Sequence, residues 1–344
     1  MQSNNTETFF LCSSATQLAV YVYLYRNQSY NNYKKIKPSN ITVFVCNPYC
    51  NNEARSRIYK YSMLLGFNIV YDIDELHSKQ KRRKINLISR KKPSNFELNK
   101  ILKIFNVKRH IVIEDGIGDY INNQPIHKNT ASYLFNLWLY SLIKTSVLCI
   151  KLIKMNPVSI YYLMTKIGVV KKIELPLIAA DELSANADIF KSIYHNIANN
   201  SYDDKFDLIV LGSLYSEKYD QHKMIAKTIY SKFNDWIIER GYALDRVLYI
   251  QHPRSDVDLE DYVFNKFGWV PNNKKYSTAE EAICANTKST VLSTCSTSQV
   301  YALNILKMPC VTVKDKSILK HSSFHNCSNY LKSLGVTQVE LTYK

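Results

Sequence analysis

At 344 residues the chain is longer than one ordinary domain, and a hydrophobic content of 46% is enough for two cores. Its formal charge of +16 draws the surface toward anions, whether nucleic acid, acidic lipid headgroups, nucleotide phosphates or acidic glycans, and does not choose among them. The eight cysteines sit mostly in apolar segments and the polar opening 1–8 lacks a signal-peptide pattern, so free thiols in a reducing cytoplasm are expected rather than a disulfide framework.

In chain order, a short apolar strand is predicted over 9–12, then the polar loop Ser13-Ser14 and a helix from about 15 to 25. A strand over 41–46, a helix over 52–65 stopped by Gly66, a strand over 67–71 and a helix over 95–105 follow. The apolar run Ile111-Val112-Ile113 then leads into the turn Glu114-Asp115-Gly116. The stretch 120–172 is apolar, basic and helical by composition. Its most apolar part, 137–153, is interrupted by Lys144 and Lys151 and falls short of the ~20 clean residues of a membrane span. Leu175-Pro176-Leu177 reads as a linker or crossing strand.

A second alternating set begins with a buried strand over 206–211 ending in Gly212-Ser213, then a long helix over 221–240 stopped by Gly241. A strand over 246–250 runs into Gln251-His252-Pro253-Arg254. A helix over 279–286, a strand over 290–293, a helix over 298–306 and a strand over 310–313 complete the pattern. Alternating strands and helices imply βαβ units on parallel sheets, so the fold class is α/β with two Rossmann-like domains. The expected boundaries are 1–176 and 177–320, with 321–344 a C-terminal segment packing back on the N-terminal domain.

Polar turns at the carboxyl ends of such strands lie where open α/β sheets hold ligands. Glu114-Asp115-Gly116 offers two adjacent carboxylates, one of which can act as a general base if its neighbour's charge raises its pKa; the glycine lets the backbone turn. The plain alternative is an acidic turn in solvent. His252, followed by a proline of fixed φ, is placed to meet a phosphate and stabilise charge on a leaving group, and Arg254 can add a bidentate contact. The plain alternative is a strand-ending turn with a surface histidine. The hydroxyl-rich loop from Ser293 to Ser298 caps a helix and makes an anion site. Ser13-Ser14 and Gly212-Ser213 are further turns of this kind. Neither a GxGxxG nor a GKS/T pattern is present.

Cys46-x3-Cys50 and the cluster His321, His325, Cys327 lack the ligand set of a zinc site and are read as structural. The basic run 79–92 is a solvated face with the capacity to touch anionic lipid.

Together, Glu114-Asp115-Gly116, His252-Pro253 and Ser296-Thr297 resemble the bacterial sialyltransferases that share a D/E-D/E-G motif, an HP motif and a Ser/Thr pair, among them capsule polysialyltransferases and lipooligosaccharide sialyltransferases. The opening LCSSATQL, Leu11 to Leu18, looks like that family's first strand and turn, with Ala15 where proline is common. Glu280 occupies the place of a family acid that contacts the nucleotide ribose, and Ala279 replaces a common proline before it.

The resemblance implies a GT-B glycosyltransferase with its site between the two domains and no obligatory metal or cofactor. CMP-sialic acid would be the donor and a glycan hydroxyl, on a lipid-linked and anionic acceptor, would be the nucleophile. Glu114 or Asp115 would serve as base and His252 as the group facing the leaving phosphate. Gly116, Gly212, Ser213, Pro253, Arg254, Glu280, Ser296 and Thr297 would hold the donor, with Ser13 and Ser14 on the acceptor side. Single displacement with inversion follows, in a protein peripheral to the inner face of a bacterial cytoplasmic membrane. A GT-B transferase using CMP-Kdo or a nucleotide-diphosphate sugar is the alternative enzyme. A basic nucleic-acid-binding α/β protein is the alternative from another class, though no recognised nucleic-acid motif accompanies the basic run.

Overall fold

The computed structural model describes residues 7–26, 37–46, 52–72, 83–90, 95–113, 171–175, 205–215, 218–252, 255, 258–273, 275–276, 278–315 and 322–340. The chain divides into two compact units, the first built on residues up to Leu177 and the second mainly on Ile178–Lys344. Among the described residues each contains a six-stranded sheet.

In the first unit the strands are β1 (Glu7–Cys12), β2 (Ile41–Val45), β3 (Asn68–Val70), β4 (Lys84–Arg90), β5 (Asn106–Ile113) and β6 (Lys171–Leu175), in the order β3-β2-β1-β4-β5-β6. Every pairing is parallel. Helices α1 (Ala15–Arg26), α2 (Asn52–Leu64) and α3 (Asn95–Ile104) connect them. Phe9, Leu11, Ile85, Leu87, Leu98, Ile101 and Phe105 form much of a core on one face. Gly66, at φ 73°, ends α2: its N–H donates to the Met63 carbonyl and that of Phe67 to the Ser62 carbonyl, a left-handed closure a Cβ would strain.

The second unit repeats the plan. Strands β7 (Leu208–Leu211), β8 (Val247–Ile250), β9 (Val270–Pro271), β10 (Thr290–Ser293), β11 (Cys310–Lys314) and β12 (Thr337–Glu340) lie in the order β12-β11-β10-β7-β8-β9, again parallel. The helices are α4 (Tyr219–Glu239), α5 (Glu260–Phe267), α6 (Ala279–Ala285), α7 (Thr297–Asn304) and α8 (Ser322–Ser333). Helix α4 buries Ala226, Ile229, Tyr230, Phe233, Trp236 and Ile237 at helical spacing, and these join Leu208, Val210, Val247, Tyr249 and Trp269 in one cluster. Both sheets thus follow the doubly wound 3-2-1-4-5-6 order.

Three expectations change. The basic run 79–92 is not wholly a solvated face: its second half is β4, between β1 and β5, with Ile85, Leu87, Ile88 and Ser89 buried. The apolar alternation inside KINLISR outweighs the charges at its ends. Residues 322–340, expected beyond the second domain, lie within the second unit and its sheet. Helix α8 and β12 complete the second sheet, with β12 in register along β11 from Val311↔Thr337 to Lys314↔Glu340 and Phe324 packed on the second core. Third, two cysteines are paired, as described below. The apolar stretch 137–153 lies outside the described residues; among those described, no helix is long and apolar enough to cross a membrane.

Candidate functional site

The second sheet reverses direction between β7 and β10: the chain leaves β7 outward through β8 and β9, then returns to β10 on the other side. Two strand ends therefore diverge there and open a crevice outside their carboxyl termini. Ser213 follows β7, and Ser293, Thr294 and Cys295 end β10. They are bonded across the divide. Thr294 Oγ1 donates to Ser213 Oγ at 2.9 Å, and Ser293 Oγ donates to the Leu211 carbonyl at 3.1 Å. Ser213 Oγ lies 3.4 Å from both Ser293 Oγ and the Cys295 carbonyl oxygen. Ser213, Ser293 and Thr294 are all buried, so these bonds hold the floor of the crevice rather than its surface.

Above that floor α7 begins. Ser296 is its N-cap, accepting the Ser298 N–H on its hydroxyl at 3.2 Å, and Thr297 is the first helical residue. Both are half-buried. The N-terminal N–H groups and the helix dipole give this end its affinity for negative charge. Glu280, in the first turn of α6, accepts a 2.8 Å bond from Ser298 Oγ. That bond fixes an acid beside the helix end, and α6 is itself capped by Thr278, whose hydroxyl accepts the Glu281 N–H at 3.2 Å. Ser298 belongs to the hydroxyl-rich loop expected from the sequence; its bond to Glu280, 18 residues away, is what no local pattern announces.

The corner after β8 adjoins the same crevice. The Gly212 N–H donates to the Ile250 carbonyl at 2.8 Å, and a Cβ on Gly212 would lie 3.0 Å from the backbone N of His252. Only a hydrogen fits there. His252 is half-buried. Its carbonyl accepts the Ser255 N–H at 2.9 Å, closing a turn, and the Gln251 side chain accepts the Leu259 N–H at 2.9 Å. Pro253 and Arg254, next in sequence, lie outside the described residues. Beneath the corner Tyr230 and Tyr249 pair hydroxyls at 3.1 Å. Burial, then the neighbouring tyrosines, holds Tyr215 and Tyr230 well above the usual phenol range, and burial does the same for Tyr249.

The loop is also tied from behind. Cys295 forms a disulfide with Cys327 of α8, Cα to Cα 6.2 Å, correcting the expectation that the thiols are free. The two residues are 32 apart in sequence, and their meeting depends on α8 packing behind β10–β11, which no local pattern announces. Cys12, Cys46, Cys284 and Cys310 are buried. The bond also removes Cys327 from the His321, His325, Cys327 cluster, of which His321 lies outside the described residues, as does Cys50. Among the described residues no group of three or more His, Cys, Asp or Glu is arranged to hold a metal ion.

In the first unit Glu114, Asp115 and Gly116 lie outside the described residues; β5, which runs into them, ends at Ile113. Ser13 and Ser14 follow β1 and are engaged in starting α1. Gln17 Oε1 accepts from the Ser13 N–H at 2.8 Å and from Ser13 Oγ at 3.0 Å, while Ser14 Oγ accepts the Gln17 N–H at 3.2 Å. This is a reciprocal cap at S-x-x-Q spacing, which the sequence analysis did not single out. A buried pair was missed: Ser89 Oγ and His110 Nε2 are 2.7 Å apart on neighbouring strands. A histidine within KRHIVI was the available signal.

Gly212, Ser213, His252, Glu280, Ser296 and Thr297 are therefore gathered around the carboxyl ends of β7, β8 and β10 in the second unit. The sequence matches no curated protein significantly. Among solved structures it is similar to a 2,6-sialyltransferase from a Vibrionaceae Photobacterium species, determined with CMP and lactose, at 14% identity and a TM-score of 0.51 over 97% of this chain and 78% of that one. It is also similar to an alpha/beta-galactoside alpha-2,3-sialyltransferase from the luminous marine bacterium Photobacterium phosphoreum, at 10% identity and a TM-score of 0.51, covering 97% and 98% of the two chains. At such identities the likeness is one of fold. With the two doubly wound sheets, it gives the GT-B class, and the sequence itself matches the profile described as alpha-2,8-polysialyltransferase across residues 1–314. The chain belongs to the alpha-2,8-polysialyltransferase family and is a sialyltransferase.

Proposed function

We propose that the protein transfers sialic acid from CMP-sialic acid to a hydroxyl of a sialylated glycan, extending it through an α-2,8 bond. The observation that carries this reading is the joined set of polar strand ends at the switch point of the second sheet: the Ser296 cap and α7 N-terminus, Glu280 bonded to Ser298, and His252 against Gly212. That set suits a nucleoside monophosphate, with the helix end and His252 for phosphate and Glu280 for a ribose hydroxyl.

The chemistry then divides in two. As the bond from the anomeric carbon to phosphate breaks, CMP leaves with the electron pair, and protonated His252, the α7 N-terminus and Arg254 offset its charge. The sugar becomes oxocarbenium-like while the acceptor oxygen forms the new bond on the opposite face. Its proton passes to a carboxylate, Glu114 or Asp115. One displacement inverts the anomeric configuration. The charge of +16 suits an anionic donor and an anionic acceptor, and docking at the anionic inner face of a bacterial membrane, where capsule glycans are assembled.

The test is CMP release from CMP-sialic acid with an oligosialic acid acceptor, run against CMP-Kdo and UDP-sugars, with and without EDTA. The expected result is turnover of CMP-sialic acid alone, unchanged by EDTA, with His252→Ala and either Glu114→Gln or Asp115→Asn inactive but folded. Full activity in all three variants would overturn the site. Cosedimentation with anionic but not neutral vesicles, lost at high salt, is expected of the peripheral placement; binding indifferent to lipid charge would overturn it.

A further inference from the structure

A buried histidine that the transfer chemistry does not use stands directly behind the His252 corner. His222, in the first turn of α4, is 3% exposed. Its Nδ1 accepts the backbone N–H of Tyr215 at 3.1 Å, and its ring stacks on Tyr215 at 5.7 Å between centroids and 27° between planes. Its Nε2 lies 3.2 Å from Ser255 Oγ. These contacts fix its protonation. A backbone N–H can only donate, so Nδ1 must carry a lone pair, and a neutral ring then holds its proton on Nε2 and donates it to Ser255.

Ser255 is the far end of the turn that holds His252: its N–H donates to the His252 carbonyl at 2.9 Å. His222 therefore links the segment after β7, through one nitrogen, to the turn after β8, through the other. We propose that His222 is a positioning residue for donor binding, setting through Ser255 where the His252 corner presents its imidazole to the phosphate. This rests on the reading that His252 meets that phosphate. Anchoring Ser255, whose N–H holds the His252 carbonyl, to a buried ring restricts that corner before the donor arrives.

The two ring nitrogens can be replaced separately. Asparagine places its amide oxygen near the position of Nδ1, and glutamine places its amide nitrogen near that of Nε2. His222→Asn keeps an acceptor for Tyr215 but loses the arm to Ser255; His222→Gln keeps the arm. Steady-state kinetics with CMP-sialic acid, together with melting temperatures, should show the KM for donor rising at least fivefold in His222→Asn and in Ser255→Ala. The double variant should be no worse than either single one, and His222→Gln should recover most of the loss. Ser255→Ala, at a half-buried site, keeps the test intact if His222→Asn fails to fold. Wild-type KM and kcat in Ser255→Ala, with His252→Ala inactive, would overturn the role of His222 alone. A fully active His252→Ala would overturn both readings together.

Discussion

Gly212→Ala is the sharpest probe of the second-unit site, because the structure states what one methyl group would meet. The added Cβ would lie 3.0 Å from the His252 backbone N, 3.1 Å from Tyr249 Oη and 3.2 Å from the Ile250 carbonyl oxygen. An ordinary contact is ~3.5 Å or more, so each neighbour must yield by roughly 0.3–0.5 Å. Tyr249 is fully buried and paired with Tyr230, and Ile250 is held in β8. The His252 corner is the part able to move. Overpacking of this kind costs roughly 1–3 kcal/mol, and in a unit of this size each kcal/mol lowers Tm by about 2–4 °C. Since a misplacement of ~1 Å can cost ~100-fold in rate, half of that displacement predicts about a tenfold fall in kcat/KM. CMP release and thermal melting measure the two effects. Gly241→Ala is the control: nothing lies within 4 Å of its added Cβ, but its φ of 72° makes an L residue cost about 1–2 kcal/mol. It should lower Tm and leave kcat/KM unchanged. A Gly212→Ala protein with wild-type kcat/KM and Tm would refute the packing argument.

Two further outcomes follow from covalent and titratable features. Cys327→Ser opens a link between residues 32 apart, for which loop-closure entropy gives about 3–4 kcal/mol, so Tm should fall markedly and dithiothreitol should lower the wild type equally. If reductant leaves Tm unchanged, or Cys295 is alkylated in the native unreduced protein, the bond is not there. Alkaline pH should also destabilise the second unit. Burial pushes the Cys310 thiol up to about 12 and holds Tyr215, Tyr230 and Tyr249 above their usual range. In the unfolded chain the thiol ionises near ~8.5 and the phenols near ~10. The unfolded state therefore releases protons that the folded state keeps, so stability is full below ~8.5 and declines above it. A Tm independent of pH between 8 and 11 would contradict this.

Much of this architecture was legible because buried parallel strands leave a strong mark: LIVL and VLYI read as strands in any context, and the turns that follow them carry the polar residues. The helix cap within the Ser293 to Ser298 loop and the stop at Gly66 were visible because capping depends on spacings of a few residues. What escaped depends on distance. Strand β4 hid behind flanking lysines and arginines, and β12 is a half-exposed edge strand with little apolar signature. The Cys295–Cys327 bond and the reach of His222 to Ser255 join residues 32 and 33 apart, which only the finished sheet brings together. The tight fit at Gly212 is set by β8, again remote in sequence.

The placement of β12 makes the tail of the chain structurally expensive to remove. Its backbone covers the outer rim of β11, where Val311, Thr312 and Val313 are buried. Trimming the protein at residue 320 would bare that rim as an unpaired ladder, the kind of edge through which sheets stick to one another. It would also take away the sulfur to which Cys295 is joined, slackening the loop before α7 from behind. A shortened version designed for crystallisation or expression should therefore keep everything through Glu340.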